Sequence, residues 1–116
     1  MRTGIISGST ISDNQYQRIA KAFKQMQLVP AYGMTEGSTL STICDVDESE
    51  NIKMNSAGRP LENVNIRIWN CQKSEEASSR RSRRNTDCGE TVMQGYYHMP
   101  EKTMASMMEH QWFRTG

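Results

Sequence analysis

Residues Ala31, Tyr32, Gly33, Met34, Thr35 and Glu36 put an aromatic ring, a glycine, a hydroxyl and a carboxylate into a single turn of chain. Each of these types suits a different part of a nucleotide that carries magnesium. A tyrosine face stacks on a base at little rotamer cost, because the ring has only two side-chain torsions. Gly33 has no Cβ, so the backbone can come close to a ligand. Thr35 can donate to a phosphate oxygen, and Glu36 can hold a hard cation that also binds phosphate. Taken alone, such a stretch is more often an ordinary glycine turn, so its surroundings decide the matter.

The elements around the turn are ones that could hold it. Gly4 to Gly8 reads as a short buried strand ending in a glycine turn. Ser12 and Gln15 form the Ser-x-x-Gln capping box that opens a helix. Tyr16, Ile19, Ala20, Phe23 and Met26 then recur at helical spacing, a stripe for packing against a sheet. The helix should end near Gln27, because Pro30 biases Val29 towards extended backbone. Leu28 to Tyr32 follows as a short strand feeding the turn. Ligands in open α/β sheets sit at the carboxyl ends of strands, where Thr35 and Glu36 would lie. Further on, residues 44–55 are acidic and read as a solvated loop. Val64, Ile66 and Ile68 alternate with polar or amphipathic neighbours as a half-buried strand. Residues 72–87 contain a single apolar residue and the basic cluster Arg80, Arg81, Arg83 and Arg84. They read as a mobile basic loop, with no aromatic side chains on which bases could stack.

Four more motifs follow the turn: Gly58-Arg59-Pro60; Gly89-Glu90; a run from Met93-Gln94-Gly95-Tyr96 to Thr103; and Trp112-Phe113-Arg114-Thr115-Gly116. In that order, behind Tyr-Gly-x-Thr-Glu, they resemble the adenylate-forming (AMP-binding) superfamily. The likeness is to its acyl-CoA synthetase branch, the medium-chain members in particular, and runs from Gly4 to Gly116. It implies an α/β fold, here a fragment of a large N-terminal domain. Residues 1–43 would be the end of an α/β layer with the nucleotide turn, and residues 58–116 part of a distorted β-barrel. It implies an enzyme that activates a fatty acid with ATP and Mg²⁺ through an acyl-adenylate and passes it to coenzyme A. Tyr32 would stack on adenine, Thr35 would contact the α-phosphate and Glu36 would hold the metal. Ala31, Gly33 and Met34 would line the adenine and acyl pocket, beside a small-residue loop at Gly8, Ser9 and Thr10.

The same resemblance leads us to expect a piece of a longer enzyme. The family's phosphate loop, the Asp that follows Thr115 and Gly116 to bind ribose, and the lid domain with its Lys have no counterpart here. The missing partners are thus parts of its own adenylation and lid domains. The family also places an apolar strand between Gly-Glu and Met-x-Gly-Tyr. Glu90 instead runs through Thr91 and Val92 into Met93, so a barrel strand should be missing, which leaves its neighbours' backbone groups unpaired or forces a new register. The alternative to an enzyme is a non-catalytic remnant or interaction module.

Composition narrows the field. Hydrophobic residues make up 35% and mean hydropathy is −0.75, against a usual ~45–50% apolar content counted with Gly. The core should therefore be thin. A net charge of +1 gives no field to gather nucleic acid or a membrane surface. No run of about 18 apolar residues could span a bilayer, and no secretory signal is visible. Cys44, Cys71 and Cys88 are odd in number and lack CxxC spacing, which favours a reducing, intracellular setting; the resemblance adds the mitochondrion. With His98 and His110 they fit no common zinc module.

Overall fold

A computed structural model describes residues 1–70, 75–76 and 83–115. It divides into two units. The first comprises Met1–Thr35 with Thr39–Leu61, and the second Glu36–Ser38 with Glu62–Gly116.

In the first unit the sequence signals for a strand, a capped helix and a second strand resolve into a βαβ arrangement. Strand β1 (Thr3–Ile6) leads to helix α1 (Asp13–Ala22) and strand β2 (Gln27–Tyr32). β1 and β2 run parallel, with Thr3 opposite Gln27 and Ile6 opposite Pro30; a parallel pair needs a crossover, and α1 supplies it. Strands β3 (Thr42–Ile43) and β4 (Arg59–Pro60) add antiparallel, giving the order β1-β2-β3-β4. β2 is the apolar centre: Leu28, Val29 and Ala31 are buried, along with Tyr16 of α1 and Cys44.

The capping box forms as expected. The Ser12 hydroxyl accepts from the Gln15 N–H, and the Gln15 side chain accepts from the Ser12 N–H at 2.9 Å. The helix stops at Ala22, however, five residues short of the expected end. Phe23 leaves helical geometry at φ −119 and ψ 58. The Gln27 N–H bonds the Arg2 carbonyl at 2.8 Å, so pairing with β1 claims the backbone that a longer helix would have used. The apolar stripe is divided accordingly. Tyr16 is 6% exposed and Phe23 56%. Met26 passes so close to Gly4 that a Cβ there would stand 2.7 Å from its sulfur.

The acidic stretch expected as loop contains helix α2 (Glu50–Asn55), capped by Ser49 and packed on β2. Its Lys53 is buried and donates to the Val46 carbonyl at 2.5 Å, a tether that a solvated loop would lack.

The second unit is a sheet with the order β6-β5-β7-β8. Strand β5 (Asn65–Asn70) pairs antiparallel with β6 (Glu75–Glu76) and, over its whole length, with β7 (Arg83–Cys88). Residues 75–76 and 83–87, assigned to the basic loop from composition, are therefore strand. Backbone pairing with β5 outweighs their polar composition. Of the basic cluster, Arg83 and Arg84 lie in β7, while the rest of the expected loop, with Arg80 and Arg81, lies outside the described residues. Between Cys88 and Phe113 the described residues form no strand; helix α3 (Pro100–Ser106) lies there, with Pro100 in its first turn. β7 takes β8 (Phe113–Arg114) as its neighbour, Thr86 opposite Arg114 and Asp87 opposite Phe113. Among the described residues of this unit, Val64 and Phe113 are buried and apolar.

Candidate nucleotide site

Because β1 and β2 are parallel, their carboxyl ends open at the same end of the sheet. The chain leaves β1 through Gly8, Ser9 and Thr10, and leaves β2 through Gly33. These segments, with the end of α2, enclose a cavity of about 580 Å³ within the first unit, inside the range of small-molecule sites. Six residues singled out from the sequence, Gly8, Ser9, Thr10, Ala31, Tyr32 and Gly33, line it. Met34 and Thr35 are not in its lining; Met34 is half-buried and Thr35 exposed.

Gly33 is needed by its own loop. A Cβ there would stand 1.8 Å from the Thr39 carbonyl oxygen. The loop closes through the Thr39 N–H to the Met34 carbonyl at 2.9 Å and the Ser41 N–H to the Tyr32 carbonyl at 2.8 Å. The glycine is therefore required even before any ligand approaches.

Tyr16 and Lys53 are among the lining residues that sequence reasoning missed. Tyr16 was assigned to packing, yet its side chain borders the cavity. Burial pushes its phenol up, helped by Glu50 and Cys44, so the hydroxyl stays neutral. A polar tip on an otherwise apolar helix stripe was the available signal. Lys53 lines the cavity too, and its ammonium donates to the Val46 carbonyl.

Glu36 belongs to the second unit. Its Oε1 accepts from the Tyr96 hydroxyl at 2.8 Å. Its carbonyl accepts from the Met93 N–H at 2.8 Å, and the Ser38 hydroxyl donates to the Thr91 carbonyl at 2.7 Å. A hydrogen bond from its own backbone, then the Tyr96 hydroxyl and the Lys102 charge, hold the Glu36 carboxyl below its ordinary range. Donation to Glu36 in turn pushes the Tyr96 phenol up. The Lys102 ammonium lies 4.2 Å from the centre of the Tyr96 ring. Tyr96 stands 60 residues beyond Glu36, so no local spacing could have linked them.

An ionised, half-buried carboxylate is a suitable oxygen ligand for magnesium. Among the described residues no group of three or more His, Cys, Asp or Glu could hold a metal. A magnesium ion held by Glu36 would take one carboxylate from it and its remaining oxygen ligands from phosphate and water. Thr115 is buried, and Gly116 lies outside the described residues.

The family model for AMP-binding enzymes matches residues 1–101. This chain belongs to the AMP-binding enzyme family. The mitochondrial medium-chain acyl-CoA ligase ACSF2 of Rattus norvegicus is 28% identical over 116 residues, all of this chain and 19% of the relative. The same enzyme of Macaca fascicularis is 30% identical over the same shares. A 4-coumarate–CoA ligase-like protein of Oryza sativa is 29% identical over 97% of this chain and 19% of the relative. The chain thus spans about a fifth of the length of these relatives. Among solved structures, the luciferase-like enzyme of Zophobas morio superposes with a TM-score of 0.82 at 21% identity, over 99% of this chain and 28% of that one. A long-chain-fatty-acid–CoA ligase of Archaeoglobus fulgidus gives 0.84 at 14% identity, over 100% and 25%. The fold is that of part of the N-terminal domain of adenylate-forming enzymes, and within the family the sequence relatives are acyl-CoA ligases.

Proposed function

We propose that the chain is the nucleotide-binding part of an ATP-dependent fatty acyl-CoA synthetase. The observation that carries this is the convergence of Gly8–Thr10 and Ala31–Gly33 on one cavity at the carboxyl ends of β1 and β2. In this reaction the acid's carboxylate attacks the α-phosphate of ATP and pyrophosphate leaves. The acyl-adenylate then gives its acyl group to the thiol of coenzyme A, releasing AMP. Charge develops on phosphate oxygens, so the protein's task is chiefly positioning and electrostatic stabilisation. Tyr32 offers its ring to adenine, Gly33 and Ala31 let the base come close to the backbone, and Met34 lies beside the acyl group. Thr35 donates to the α-phosphate, and Glu36 holds magnesium, whose charge offsets that of the phosphates. A phosphate loop, a ribose-binding Asp and a lid Lys complete the reaction from a longer chain or a second polypeptide. The rat relative is mitochondrial by name, and we assign this chain to the same compartment.

Titration of the full chain with a fluorescent ATP analogue and Mg²⁺ tests this. Saturable binding displaced by ATP and AMP, and lost in Tyr32→Ala, is expected. Binding that AMP does not displace, or that survives Tyr32→Ala, overturns it.

A further inference from the structure

We propose that Tyr96 is the positioning residue for Glu36, orienting its carboxylate to hold magnesium, and that Lys102 and Thr103 fix Tyr96 for that purpose. The inference rests on the metal-binding role given to Glu36 above. A glutamate side chain has three rotatable bonds and samples many positions unless something holds its head. Here the Tyr96 hydroxyl holds it, donating to Oε1 at 2.8 Å. An ionised carboxylate has about four acceptor sites, so one hydrogen bond leaves room for a cation on the same group.

The chemistry of the donor matters as much as its place. A neutral phenol orients the carboxylate without cancelling its charge. An ammonium at the same spot would compete with magnesium for it. Lys102 is near enough to act on Glu36 through space, yet its ammonium sits on the Tyr96 ring at 4.2 Å. Among the described residues no ion pair joins Lys102 to Glu36. The cation thereby stabilises the ring's position and leaves the carboxylate free of a direct counter-ion.

Both ends of the contact are anchored in backbone. The Glu36 carbonyl is bound by the Met93 N–H. The Tyr96 N–H donates to the Thr103 hydroxyl at 2.9 Å, which itself donates to the Met99 carbonyl at 2.9 Å. Gly95 makes that approach possible: at φ +157, an added Cβ would lie 2.8 Å from the Thr103 methyl. The Gly-Tyr pair and the Thr at the fourth position of the following helix thus form one device. The glycine lets the chain close on Thr103, and Thr103 sets the tyrosine.

The test is isothermal titration of the full chain with ATP, with and without Mg²⁺, for the unsubstituted protein, Glu36→Gln, Tyr96→Phe and Tyr97→Phe. Phe at 96 keeps the ring beneath Lys102, and the exposed Tyr97 serves as the control. The expected result is an Mg²⁺-dependent gain in ATP affinity that Glu36→Gln abolishes. Tyr96→Phe should cut that gain by about tenfold or more, in line with other groups that orient metal ligands. Its affinity for ATP without Mg²⁺ and its melting temperature should match those of Tyr97→Phe. If Tyr96→Phe keeps the whole gain while Glu36→Gln loses it, Tyr96 does not position Glu36, although the role of Glu36 stands. An equal loss of affinity with and without Mg²⁺ makes Tyr96 merely structural and also overturns the inference. If the unsubstituted chain shows no gain, or Glu36→Gln keeps it, the metal-binding role itself falls.

Discussion

Cys44 is buried and donates its thiol hydrogen to the Ser56 carbonyl at 3.4 Å. Burial pushes the thiol up, with Glu48 adding to the effect. A proton held more tightly in the folded than in the unfolded state gives a stability that is complete below the unfolded pKa and declines above it. For a thiol that decline begins near pH 9, and Tyr16, raised for the same reason, continues it above about pH 10. We expect the urea midpoint to fall between pH 9 and 10, and Cys44→Ala to flatten that first part of the fall. An unchanged slope in the variant would mean that the thiol is not titrating. The glycines make a second residue-scale contrast. Gly58 lies at φ +87, and a Cβ there would meet the Ile43 carbonyl carbon at 1.9 Å. Gly8 lies at φ +96 with nothing within 4 Å. Gly8→Ala should cost about 1–2 kcal/mol from backbone conformation alone. Gly58→Ala should cost more than twice as much, read as a larger drop in denaturation midpoint. Six residues that line the cavity were legible at this scale, as small or aromatic types at or just beyond two strand ends. Tyr16 and Tyr96 were not, since each acts on residues far away in sequence.

The elements were legible where the signal is local and obscure where pairing decides. Ser12 and Gln15 specify a helix start by side-chain reach alone, and the start is where they put it. Ser12→Ala should cost about 1 kcal/mol, a noticeable share in a helix of 10 residues. Far-ultraviolet circular dichroism across a denaturant series measures it, and a loss below about 0.3 kcal/mol would show that tertiary packing alone sustains α1. The end of α1 could not be read from Pro30, because it depends on where Gln27 meets Arg2. The strand at 83–87 was hidden for a related reason. Its composition is that of a loop, and only the ladder with β5 makes it a strand.

At the scale of the molecule, composition and structure agree. Two units share 116 residues, and the described apolar core is limited to Tyr16, Leu28, Val29, Ala31, Cys44, Val64 and Phe113. Units so small bury only about 60% of their unfolded surface. Ordering about 1–2 kcal/mol per residue of backbone entropy against so little burial leaves a narrow margin. By hydrogen exchange we expect the slowest amides in β2 and the strands paired to it, with faster exchange through residues 89–112. Protection spread evenly over residues 62–115 would show that the second unit is as stable as the first. We also expect no acyl-CoA formation from ATP, coenzyme A and fatty acids by this chain alone. Turnover above a heat-killed control would refute that and show that this chain suffices for the reaction.

β1 ends its sheet. Among the described residues no strand pairs with its outer edge, and Ile5 beside it is 59% exposed. No charged side chain lies within Thr3–Ile6 to discourage another strand from docking there. The shelf life of a purified solution should therefore be set by that edge and fall as the chain is concentrated. A lysine in place of Ile5, outside the cavity lining, should keep it clear by light scattering at concentrations where the unsubstituted chain clouds.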